Sequence, residues 1–131
     1  MGIFSNIFGD KDKKPSKEGK KIHWIPLTSV GQLDDIVATS AGKPQVVFKH
    51  STTCGISRMV LNMFTSSYDL ESSKMDLYFL DLHANREVSS AVAEKFQVRH
   101  QSPQLLIIKN GVVVAHDSHG AINELQLEKY I

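Results

Sequence analysis

The stretch Pro44-Gln45-Val46-Val47-Phe48-Lys49-His50-Ser51-Thr52-Thr53-Cys54-Gly55-Ile56-Ser57-Arg58 decides how the chain folds. Gln45 to Lys49 has an unbroken apolar centre, the pattern of a strand covered on both faces. Beyond the loop around Ser51 to Cys54, Ile56, Met59, Val60 and Met63 recur at helical spacing and predict a helix with that set as its apolar face. Cys54 therefore stands where a buried strand hands over to a helix. At such a junction unpaired amides and the positive end of the helix dipole favour an anion. A thiolate is the anion on hand, so Cys54 is expected to be a reactive sulfur. Its neighbours Thr52, Thr53, Gly55 and Ser57 are small and mostly polar, which argues against a cysteine that merely fills a core.

Cys54 is the single cysteine of the 131 residues. That count excludes a disulfide within the chain, any dithiol mechanism, and a cysteine-rich zinc or iron–sulfur site built by one chain alone. Cys54-Gly55-Ile56-Ser57 places a hydroxyl where a dithiol protein carries its second sulfur. A mixed disulfide on Cys54 must then wait for an external thiol. Ser57 is read as a hydrogen-bond donor to the thiolate. Lys49, His50 and Arg58 are read as nearby positive charge.

Outward from this stretch, strand and helix patterns alternate. Ile22 to Leu27 predicts a first strand. Ser29 and Gln32 have capping-box spacing, and Val30, Leu33, Ile36 and Val37 follow as a helix ending near Ala41-Gly42. Met75 to Leu82 predicts a strand, and Val88, Ala91, Val92 and Phe96 a helix. Pro103 precedes a strand at Gln104 to Lys109, and Asn110-Gly111 signals a hairpin into Val112 to Ala115. Asn123 is read as the cap of a last helix carrying Leu125, Leu127, Tyr130 and Ile131. The order β-α-β-α-β-α-β-β-α implies a mixed sheet flanked by helices on both faces, with parallel crossovers and one antiparallel strand added by the hairpin. Ser102-Pro103 is read as a cis bond beside Cys54 that leaves the Ser102 backbone free to pair with an extended thiol substrate.

Fifteen basic and fourteen acidic side chains leave a net charge of +1, which gives no global pull toward nucleic acid. Asp10 to Lys21 holds six lysines and three acids, and reads as a flexible tether behind an apolar tip of Ile3, Phe4, Ile7 and Phe8. Residues 1–21 are thus expected to be an extension and residues 22–131 the folded domain. The tip has neither the charged region nor the cleavage site of a signal peptide, and a cytoplasmic monomer without stable membrane insertion is expected. His116 and His119 straddle a strand end with no carboxylate cluster to complete a metal site, so no metal is expected. His50, Arg99, His100 and His119 are read instead as polar groups around the sulfur or its ligand. The backbone amides of His119-Gly120 are expected to meet a ligand carboxylate.

The thiol at a strand–helix junction, the distant Ser102-Pro103-Gln104 and the strand order resemble the thioredoxin fold, an α/β architecture. Cys54-Gly-Ile-Ser57 is similar to the Cys-Gly-Phe-Ser of monothiol glutaredoxins, which implies glutathione and a bridged [2Fe–2S] cluster. The Gly-Gly-x-Asp-like segment of that family is replaced here by Asp117-Ser-His-Gly120. The fuller resemblance, over residues 22–131, is to the YtxJ-type monothiol bacilliredoxins. Phe48-Lys-His-Ser-Thr-Thr-Cys54, Ile56-Ser57-Arg58, Tyr78-Phe-Leu-Asp-Leu82, Val98-Arg-His-Gln-Ser-Pro-Gln104 and Ser118-His119 carry it, and Gly55 departs from the proline or small polar residue of that pattern.

This resemblance implies removal of bacillithiol from S-bacillithiolated client proteins in a stress response, with bacillithiol as thiol co-substrate and no bound cofactor. Cys54, Ser57 and Pro103 are the implied catalytic set. Lys49, His50, Thr53, Arg58, His100, Ser102, His119 and Gly120 are the implied substrate-binding set, with basic side chains meeting the malyl carboxylates of bacillithiol. Two other readings stand beside it: an iron–sulfur carrier like a monothiol glutaredoxin, and a non-catalytic adaptor.

Overall fold

The computed structural model describes residues 22–131. The reading of residues 1–21 as a tether lies outside the described residues. Five strands form one sheet: β1 (Trp24–Pro26), β2 (Gln45–His50), β3 (Asp76–Asp81), β4 (Gln104–Lys109) and β5 (Val112–Ser118), in the order β1-β3-β2-β4-β5. Three helices connect them: α1 (Gln32–Thr39), α2 (Gly55–Ser67) and α3 (Arg86–Phe96).

The central position of β2 follows from its composition. All six of its residues are buried, because β3 and β4 flank it and helices cover both faces. Side chains alternate across a strand, so successive residues enter different cores. Val46 and Phe48 join Val60 and Phe64 of α2, along with Leu105, Ile107 and Ile122. Val47 joins Leu33 and Ile36 of α1 and Val88 and Val92 of α3, with Leu106 and Ile108 from β4. Aromatic rings thicken the α2 side, where Phe48 lies 5.5 Å from Phe64 and 6.0 Å from Trp24 by ring centroids.

Local chemistry explains the element ends. Gln32 Oε1 accepts the backbone N–H of Thr28 at 2.8 Å and of Ser29 at 3.0 Å, which starts α1 as the capping spacing predicted. Asn110 and Gly111 both have positive φ, 52° and 81°, and turn β4 into β5. Ser40 locks that turn, its carbonyl accepting Asn110 N–H at 2.9 Å and its hydroxyl accepting Gly111 N–H at 2.8 Å.

Three expectations need correction. β4 pairs antiparallel to β2 as well as to β5, so the strand running against the others is β4 and not the last one. A helix between two strands does not by itself return the chain in a parallel sense. The predicted last helix is replaced by two short 3-10 helices, His119–Glu124 and Leu127–Tyr130, and Asn123 lies inside the first instead of capping it. On α2 the buried set is Ser57, Val60 and Phe64, whereas Ile56, Met59 and Met63 are 54%, 56% and 53% exposed. Two stripes of one helix satisfy the same spacing, and the sheet selects the one holding Phe64.

Candidate active site at the carboxyl ends of the central strands

β2 and β3 run parallel and end together, and the Leu82 N–H donates to the His50 carbonyl at 3.0 Å beyond the last pair. From this end the chain turns through Ser51 to Thr53, and Cys54 becomes the N-cap of α2 with an extended backbone, φ −108° and ψ 120°. The Cys54 carbonyl accepts the Arg58 N–H at 3.1 Å, so helical bonding begins there. Cys54 is a free, half-buried cysteine. The amides that follow have no carbonyl one turn earlier in the helix to bond and point toward the end where the sulfur sits.

Pro103 arrives from the other side. The β2–β4 pairing ends at Lys49 opposite Gln104, which brings the segment before Gln104 to the end where the Cys54 loop leaves β2. The Ser102–Pro103 bond is cis. The Pro103 carbonyl accepts the His119 N–H at 3.0 Å. The His119 amide expected to meet a ligand carboxylate is thus taken by the protein, and His119 reaches it with a positive φ of 58°. His119 and Gly120 are themselves exposed at the start of the first 3-10 helix.

Ser57, three residues after Cys54, is fully buried. Its hydroxyl accepts the Ser51 N–H at 3.1 Å and lies 2.9 Å from His50 Nδ1. Burial pushes the His50 imidazole below its ordinary value, Arg58 and His83 push the same way, and Asp81 opposes them. A neutral imidazole has one donor and one acceptor nitrogen. The Ser57 hydroxyl is thus engaged by His50 and Ser51, and among the described residues no hydrogen bond joins it to the Cys54 sulfur, for which it was read as a donor. His50 is therefore a positioning group for the Ser57 hydroxyl at the start of α2.

A second network holds the loop itself. His83 Nε2 lies 2.8 Å from Ser51 Oγ and 3.1 Å from Thr53 Oγ1, and its Nδ1 lies 3.3 Å from Arg86 Nη2. His83, Ser51 and Arg86 were missed by sequence reasoning. The available signal was position: His83 follows β3 at the carboxyl end of the sheet, where α/β proteins assemble their sites. Arg58 is exposed on the first turn of α2.

Lys49 and His100 form a group of their own, away from α2. Lys49 precedes His50 in the strand, so its side chain leaves on the α3 face. There Nζ lies 3.2 Å from His100 Nδ1 and 3.4 Å from the Ser89 carbonyl. Lys49 is fully buried, and burial lowers its pKa to about 8. Lys49, read as nearby positive charge, is thus turned by strand alternation away from the face that His50 shares with Ser57. Among the described residues no cluster of His, Cys, Asp and Glu could hold a metal ion, and no helix is long and apolar enough to cross a membrane.

Known proteins share this fold. A solved protein described as an oxidoreductase with a thioredoxin fold is 34% identical, with 80% of this chain and 90% of that one covered at a TM-score of 0.66. Thioredoxin from Malassezia sympodialis (Mala s 13) aligns at 19% identity over 88% of this chain and 93% of its own, TM-score 0.65. Thioredoxin from Trypanosoma brucei brucei aligns at 16% identity over 88% and 96%, TM-score 0.66. The last two establish the fold alone. The model of the monothiol bacilliredoxin BrxC family matches residues 25–127, most of the described chain. With a thioredoxin fold, one cysteine on a helix N-cap and a hydroxyl in the second position, this chain belongs to the monothiol bacilliredoxin family and is a thiol redox protein.

Proposed function

We propose that the chain removes bacillithiol from S-bacillithiolated proteins by exchange at Cys54. The Cys54 thiolate attacks the bacillithiol sulfur of the mixed disulfide. A new S–S bond forms to Cys54, the old one breaks, and the client sulfur leaves as a thiolate that takes up a proton. A second low-molecular-weight thiolate then attacks the bacillithiol sulfur held on Cys54. The products are a small-molecule disulfide and the restored Cys54 thiolate, with no net oxidation of the protein.

One observation carries this reading: the position one turn after Cys54 is a buried hydroxyl already bonded to His50 and the Ser51 amide. No second sulfur competes for the mixed disulfide, so its lifetime is set by external thiol. Ile56 and Arg58 are exposed on the first turn of α2 next to the half-buried Cys54, which supports approach by a disulfide substrate.

Intact mass after incubation with bacillithiol disulfide and, separately, with glutathione disulfide tests the proposal. A bacillithiol adduct on the wild-type chain, absent from Cys54→Ser and released by excess bacillithiol, is the expected result. A Cys54→Ser chain that still reduces bacillithiolated clients would refute it. A preferred glutathione adduct would favour the glutaredoxin-like reading.

A further inference from the structure

A groove of about 730 Å³ runs along α3 and the segment after it, on the sheet face opposite α2. Arg86, Ser89, Ser90, Glu94, Arg99 and His100 contribute to its walls. Directly behind Ser89 and His100 lies the Lys49 ammonium, at 3.4 Å from the Ser89 carbonyl and 3.2 Å from His100 Nδ1. A buried charge is ordinarily paired. Among the described residues the ion pairs are Lys43–Asp76 and Lys95–Asp34, so Lys49, Arg86 and Arg99 have no carboxylate. Glu94 is the one acid lining the groove, against two guanidiniums and the ammonium behind the wall.

The groove also communicates with the nucleophile. Arg86 reaches His83, and the other nitrogen of His83 holds Ser51 and Thr53 in the loop that presents Cys54. On the other side, Gln104 Nε2 donates to the Arg99 carbonyl at 2.9 Å and fixes the segment that leads to Pro103.

We infer that this groove is an anion subsite for a small ligand bearing carboxylates, and that it receives the carboxylate end of the low-molecular-weight thiol exchanged at Cys54. The second half rests on the function proposed above. The volume suits a small molecule rather than a polymer. Guanidinium groups match carboxylates in a planar, bidentate way, and a desolvated ammonium without a counter-ion gains most from one.

Two measurements on the full chain test this. The first follows amide shifts of Ser89, Ser90, Arg99 and His100 while L-malate is added, with inorganic phosphate as a parallel titration. Saturable malate shifts, weakened about tenfold in Arg99→Gln and in Arg86→Gln, are expected. No malate shift, or a response to phosphate alone, overturns the carboxylate site. The second compares exchange with bacillithiol disulfide against uncharged bis(2-hydroxyethyl) disulfide. In Arg99→Gln the ratio of the two rates should fall about tenfold, through KM for the charged substrate. An unchanged ratio with a normal Cys54 adduct overturns the link to Cys54 while the exchange function stands. Malate binding by a chain whose Cys54 takes no bacillithiol removes the function and the link, and supports the anion site alone.

Discussion

Lys49 and His50 are neighbours in β2, yet their side chains enter two polar environments on opposite faces of the sheet. His50 belongs to a closed network: its ring, held below the ordinary imidazole pKa by burial, the Ser57 hydroxyl and the Ser51 amide satisfy one another at the start of α2. Lys49 belongs to an open one, an ammonium with a carbonyl and an imidazole for partners and two nearby arginines that form no ion pair among the described residues. The closed network suits a sulfur that must be held in one geometry through repeated exchange. The open network carries a standing electrostatic cost that a bound anion relieves.

The largest test of this contrast uses two adjacent positions. Phe48→Ala, in the aromatic core beneath α2, should lower unfolding stability by about 3–5 kcal/mol in urea titrations. Lys49→Met, one residue on, should reverse the sign and stabilise the chain by about 1–2 kcal/mol at pH 7, because a buried unpaired charge is replaced by an apolar group of similar length. A destabilised Lys49→Met would show that the ammonium is better satisfied than the open network implies.

The Lys49 effect has a pH signature. Its pKa is about 8 in the folded chain and 10.5 free. Between those values the unfolded chain keeps a proton the native chain has released, so native stability rises with pH there. Below about pH 8 both states are protonated and the full burial cost remains. The stability advantage of Lys49→Met over wild type should therefore shrink from pH 8 toward 10.5, and a constant difference would contradict the assignment.

On the closed side, Ser57→Ala leaves the Ser51 amide and His50 Nδ1 without their shared partner and should cost about 1–2 kcal/mol. An unaffected urea midpoint would mean that network contributes nothing. The smallest effect is expected at Gly55. Cys54 already has the extended backbone that precedes proline, and open space surrounds the position where a Gly55 side chain would sit. Gly55→Pro at the first helical position should stabilise by about 0.4–1 kcal/mol. A lower thermal midpoint would show that the Gly55 amide is needed.

The alternating elements were legible because each buries one face, and burial writes a period of two or 3.6 into the sequence. Val46 to Phe48, the Gln32 cap and Asn110-Gly111 are local signals of that kind, and all reappear in the fold. The direction of β4 was not legible, since a connection after α3 can deliver the next strand either way. The inward face of α2 was ambiguous because Ile56-Met59-Met63 and Val60-Phe64 both fit a helix. His83 left no motif, since its partners Ser51 and Thr53 lie some thirty residues away in the chain, and Arg86 joins them only through His83.

The sequence by itself determined that a single sulfur sits where a buried strand passes to a helix, with a hydroxyl in the place of a resolving thiol. Spacing and residue count decide those points without reference to any distant segment. Only the tertiary structure decided that Lys49 and His50 part company, that the His119 amide is taken by Pro103, and that His83 ties the Cys54 loop to α3. The first depends on which helices cover the two faces of β2, the second on the β4–β5 pairing that ends at Gln104 and Ser118, and the third on β2 and β3 ending side by side. Each is a contact between segments far apart in the chain.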